Sequence, residues 1–135
     1  YEVCGHLKFG TGSAAGSLIL PHLTKLGDAA ADVVLTFRAC PYTEPKRIQE
    51  DPIVYTLYGN QDRKDFTVSI TGGGTFEDGS TELTLYNDDS GRDQNGRFAW
   101  TDHTVVIKGV TAESRITIAT IEKRMWLDNI KVVKQ

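Results

Sequence analysis

The chain has 135 residues and a formal net charge of −3. That length suits one domain with a core of its own, and the slightly acidic balance, without a basic stripe, excludes a nucleic-acid footprint. No apolar run approaches the ~20 residues of a membrane helix, so no membrane insertion is expected.

Tyr1 opens the chain with neither an initiator Met nor a basic n-region, so no signal peptide is read. The expectation is one domain over residues 1–135, excised from a longer chain whose other domains are among its partners. Cys4 and Cys40 form no CxxC pair, which argues against a redox or zinc motif. Both carry the parity of the solvent face of their strands, which permits a disulfide and equally permits two thiols.

Helix signals are almost absent. Gly27–Asp32 (GDAAAD) is too short for more than a turn. His6–Phe9 alternates, with Leu7 and Phe9 facing one way and His6 and Lys8 the other. Thr11–Ser17 is a small-residue loop, and Ser17–Leu20 a short strand stopped by Pro21. Asp32–Cys40 is the clearest alternator, with Val33, Leu35, Phe37 and Ala39 inward and Val34, Thr36 and Arg38 outward. Pro41 to Pro52 carries three of the chain's prolines and reads as a surface loop.

Ile53–Tyr58 is a strand, followed by a polar turn at Asn60–Asp65. Phe66–Ile70 alternates and breaks at Gly72–Gly74. Glu82–Tyr86 places Leu83 and Leu85 inward. Asn87–Gly96 is a polar hairpin loop. Thr104–Lys108 carries Val105 and Ile107 on one face, and Arg115–Ile121 carries Ile116 and Ile118. About nine short strands with frequent turn signals predict an all-β, antiparallel two-sheet sandwich.

The last strand, Lys123–Val133 (KRMWLDNIKVV), holds the one misfit. Asp128 lies among Trp126, Leu127 and Ile130. If Leu127 and Ile130 both point inward, the odd spacing requires a bulge at Asp128–Asn129, which would re-aim the carboxylate. A partly buried carboxylate needs backbone N–H donors, a cation or a metal. Capture of local N–H groups and ligation of calcium are both open readings.

No motif supports catalysis. The triple glycine lacks the Lys-Ser/Thr and following helix of a phosphate loop, so it reads as a turn or bulge. Asp88–Asp93 lacks the alternating order of a calcium loop. His6, His22 and His103 have no ligand spacing, no GxSxG elbow occurs, and no carboxylate pair stands in a recognisable setting. The chain is not expected to be an enzyme.

The outward positions Thr36, Arg38, Thr67, Ser69, Glu82, Thr84, Tyr86, Lys108 and Thr117 read as one polar, Thr-rich sheet face. Such a face is commonly just solvated. It also suits sugar, with hydroxyl and guanidinium groups meeting sugar hydroxyls and an aromatic ring stacking on a pyranose. Tyr42, beside Pro41, and Tyr58, at a strand end, are the aromatics expected to be exposed. With Arg38 and Arg97 they form the candidate glycan-binding set. Trp100 reads as an edge-packing residue.

Five segments resemble the jelly-roll carbohydrate-binding modules of the galactose-binding-like type found in bacterial surface and secreted proteins. They are Gly5–Gly10 (GHLKFG), Gly16–Pro21 (GSLILP), Val33–Ala39 (VVLTFRA), Trp100–Ile107 (WTDHTVVI) and Trp126–Val132 (WLDNIKV). The resemblance runs from His6 to Val133. It implies a non-catalytic carbohydrate-binding or accessory module, located outside the cell, at its surface or in the periplasm, with glycan as its partner. It further implies a structural calcium with Asp128 as a ligand; the opening-strand carboxylate that usually shares the ion is not matched, since Glu2 stands in the wrong context. The alternative function is a structural spacer or protein-interaction sandwich without a small ligand.

Overall fold

The computed structural model describes residues 2–3, 5–56, 61–88 and 99–135. Its strands are β1 (Glu2–Val3), β2 (His6–Phe9), β3 (Ser17–Ile19), β4 (Ala31–Pro41), β5 (Lys46–Glu50), β6 (Ile53–Thr56), β7 (Asp65–Thr71), β8 (Thr75–Phe76), β9 (Glu82–Tyr86), β10 (Thr101–Val110), β11 (Arg115–Thr120) and β12 (Met125–Lys134). One 3-10 turn, Thr24–Leu26, precedes β4. All pairings are antiparallel. The larger sheet runs β1-β2-β12-β4-β10-β8, the smaller β3-β11-β7-β9, and β5-β6 stand apart as a hairpin.

The alternation in β4 explains its central place. Val33, Leu35, Phe37 and Ala39 are all buried, and both edges of the strand are hydrogen-bonded, to β10 and to β12. Against this face the smaller sheet sets Phe66, Val68, Ile70, Ile116 and Ile118. The two inner faces therefore share one core, and the arrangement is sandwich-like. Each such side chain contributes roughly 1.5–3 kcal/mol by leaving water.

Gly72–Gly74 is the turn between β7 and β8. Gly72 has φ +76°, and a Cβ there would meet the Glu113 carbonyl oxygen at 2.3 Å, so no side chain fits. The hydroxyls of Thr111 and Ser114 donate to the carbonyls of Gly72 and Gly73, 3.0 and 2.8 Å away. That is a structural turn, as its sequence implies.

Three expectations need correction. Pro41–Pro52 is not all loop, because Pro41 closes β4 and β5 lies within the stretch and pairs with β6; the β5 residues are nonetheless all exposed. Leu7 shares the inward face with its register partner Leu127 yet is 37% exposed, because β2 lies near the sheet edge. Cys40 has outward parity yet is buried, opposite Trp126 in the register. Its suggested partner Cys4 lies outside the described residues.

Among the described residues the core holds one buried histidine. His103 is stacked on Phe37 at 5.0 Å between centroids and meets Phe66 edge-on at 5.1 Å. Its Nε2 lies 3.0 Å from Asn87 Oδ1. Burial pushes the imidazole pKa below its ordinary value, against the opposing pull of Asp88 and Asp102. Below the usual His value of about 6.5 the unfolded chain takes the proton first, while the native ring stays neutral. Stability should therefore fall as the pH drops from 6.5 towards 5. The depressed carboxyls Asp65, Asp78 and Asp128 lose their contributions only lower, beneath the ordinary value of 3.8. Urea midpoints across this window should show a slope that is shallower in His103→Gln. An equal slope in both proteins would remove His103 from the account.

Candidate functional site

The outer face of the larger sheet, away from the core, carries a row of charges across three strands. Arg38 on β4 is the register partner of Asp128 on β12 and of Asp102 on β10. The next row is Lys131, Thr36 and Thr104 by the same pairings.

The bulge expected in β12 is present. Asn129 has φ +55°, and the register shifts between Asp128 and Lys131. Asparagine tolerates this left-handed conformation better than most residues. The extra residue lets Leu127 and Ile130 both pack on the core. It also leaves Asp128 facing outward at Arg38. Arg38 Nε donates to Asp128 Oδ2 at 3.0 Å, and Nη2 donates to the same oxygen. His6 Nδ1 lies 3.3 Å from that oxygen. The guanidinium carbon sits 4.6 Å from the Trp100 ring centroid, and the His6 ring meets Trp100 edge-on at 5.0 Å. The side chains of Arg38, Asp128 and His6 retain 31%, 19% and 21% of their exposure, so part of each stays open to solvent, although the His6 Nδ1 that faces Asp128 is itself buried.

Partial burial would raise the Asp128 pKa. The Arg38 hydrogen bonds, a backbone hydrogen bond at Asn129 and the charges of Arg38 and His6 outweigh it and hold the carboxyl below its ordinary value. An ionised carboxylate has no proton to give at neutral pH, so Asp128 is unsuited to general-acid chemistry. The pair instead offers fixed donors and acceptors beside an indole ring.

A calcium ion needs six to eight oxygen ligands. The groups facing Asp128 are a guanidinium and an imidazole, and among the described residues no set of three or more His, Cys, Asp or Glu side chains is gathered to hold a metal. The donor set at Asp128 does not fit calcium; the cation that meets it is Arg38.

Beside this site the face closes over. Tyr42 is half-buried rather than exposed. It stacks on Trp126 at 6.1 Å, with Lys8 Nζ 4.5 Å and the Arg124 guanidinium carbon 4.0 Å from its centroid. Arg124 in turn is paired with Asp62, Nε to Oδ2 at 2.7 Å and Nη2 to Oδ1 at 3.2 Å. This packing explains the burial of Trp126 and Cys40 on a nominally solvent-facing surface.

Of the sequence-predicted residues, Arg38 and Asp128 meet directly. Tyr42 belongs to the neighbouring packed cluster, and Tyr58 and Arg97 lie outside the described residues. The single polar face expected from parity is in fact two. Thr36, Arg38 and Lys108 lie on the larger sheet, and Thr67, Ser69, Glu82, Thr84, Tyr86 and Thr117 on the smaller one. His6, Trp100 and Asp102 were not picked out as site residues. Parity already placed His6 beside Lys8 on an outer face, but the pairing that brings β2 to β12 has no local signal.

Comparison with protein-family profiles and with curated proteins finds no match for this chain. The class that the structure itself defines is an all-β, sandwich-like protein of antiparallel sheets.

Proposed function

We propose that this chain is a non-catalytic carbohydrate-binding module of jelly-roll type, belonging to a protein of the cell surface or the extracellular space, with glycan bound on the outer face of the larger sheet. The observation that carries the reading is the partly exposed Arg38–Asp128 pair against the Trp100 indole. A guanidinium fixed by a carboxylate presents directed N–H groups to vicinal hydroxyls. Asp102, Thr104, Thr36 and Lys131 extend the row with further polar groups, and Trp100 supplies the apolar surface that a pyranose face requires. This reading assigns Arg38 to the glycan, while Tyr42 supports the platform from its packed cluster.

Affinity electrophoresis in gels containing soluble polysaccharides is the test. At least one polysaccharide should retard the wild type, and Trp100→Ala and Arg38→Ala should each weaken retardation about tenfold or more. Tyr86→Ala, on the opposite sheet, should leave it unchanged.

A second reading has its own support. Ile48, Ile53 and Val54 on the β5-β6 hairpin are exposed, away from either sheet. An apolar arm of this kind suits contact with another domain or protein. Folded protein that no polysaccharide retards would favour this protein-interaction sandwich.

A further inference from the structure

The open seam of the sandwich holds a second feature, separate from the charged row. Beyond Leu127, β12 leaves β2 and keeps only β4 as a neighbour among the described residues. Across the gap, residues 20–26 are tied to the smaller sheet. Leu20 N–H donates to the Ile116 carbonyl at 2.8 Å and Leu23 N–H to the Ser114 carbonyl at 3.3 Å. His22 fixes the same segment, with Nδ1 3.0 Å from the Glu113 carbonyl oxygen. Between these walls lies a slot of about 460 Å³. That volume falls within the roughly 300–1,000 Å³ range of small-molecule sites.

The chemistry of the slot is divided. Val33 and Val132 from the larger sheet, with Leu23 and Leu26 from the turn, supply apolar walls. Lys25 and Lys134 stand exposed among the residues that line it, and among the described residues no carboxylate lines it. Asp32, next to Val33, is turned elsewhere: its Oδ1 accepts the Gly109 N–H at 2.8 Å. Apolar walls with two ammonium groups and no opposing anion match one ligand class, an apolar body with a single negative head.

We infer that this slot binds a medium-chain aliphatic carboxylate, its hydrocarbon lying between Leu23, Leu26 and Val132 and its head group meeting Lys25 and Lys134. The site is independent of the glycan platform, since the two share no residue.

The probe is decanoate, titrated into the isotope-labelled whole chain below its micelle concentration, with 1-decanol as the neutral comparison. Amide shifts should saturate and concentrate at Leu23, Leu26, Val33 and Val132. Lys25→Glu combined with Lys134→Glu should weaken decanoate about tenfold or more and leave decanol unchanged. Leu26→Trp, checked for folding by circular dichroism, should block both. Shifts that never saturate, shifts scattered over the surface, equal loss of both probes in the lysine variant, or undiminished binding in Leu26→Trp would each overturn the inference.

Discussion

Arg124→Ala is expected to destabilise the protein by about 3–5 kcal/mol, because it strands a buried carboxylate. The side chain of Arg124 is 10% exposed and that of Asp62 6%. Without the guanidinium, Asp62 keeps only the Arg124 backbone N–H at 3.2 Å among its contacts with that residue. The guanidinium over the Tyr42 ring is lost as well. The effect belongs to the unpaired charge rather than to the value of the pair. The double variant Asp62→Leu with Arg124→Met should therefore recover most of the loss. Glu44, also paired with Arg124 but 51% exposed, should matter little: Glu44→Ala should cost less than about 1 kcal/mol. Urea denaturation of the four proteins checks the set. A loss under 1 kcal/mol for Arg124→Ala would mean that solvent reaches Asp62 freely.

Phe37→Ala is expected to cost about 3–5 kcal/mol. The ring is 3% exposed, in the middle of the central strand. It stacks on His103 and meets Phe66 edge-on at 5.9 Å, so its removal opens space between the two sheets. It also removes apolar cover from His103, so the variant should lose part of the pH dependence between 6.5 and 5 as the imidazole becomes more easily protonated. A loss under 1 kcal/mol would contradict the inward assignment of the Phe37 face.

Period-two alternation made the core legible in the sequence. Val33, Leu35, Phe37 and Ala39, then Phe66, Val68 and Ile70, Val105 with Ile107 and Ile116 with Ile118 all face inward as their spacing dictates. The bulge at Asp128–Asn129 was legible for the same reason, because only an extra residue lets Leu127 and Ile130 share a face. Strand pairing was not legible. Nothing local says that β12 lies between β2 and β4, and so nothing announced that His6, Arg38 and Asp128 would meet. Parity likewise assigns inside and outside but not which sheet, which is why one predicted polar face divides into two. Cys40 and Trp126 escaped parity altogether, since Tyr42 and the Arg124–Asp62 pair close over the outer face.

That the outer face of the larger sheet takes glycan is tested most directly by mapping amide and indole N–H shifts of the labelled chain as an oligosaccharide from the retarding polysaccharide is added. The shifts should saturate and gather at Arg38, Trp100, Asp102 and Lys131, and Arg38→Ala should abolish them. Saturable shifts gathered instead on the smaller sheet, around Thr84 and Tyr86, or on the β5-β6 hairpin, would contradict this placement.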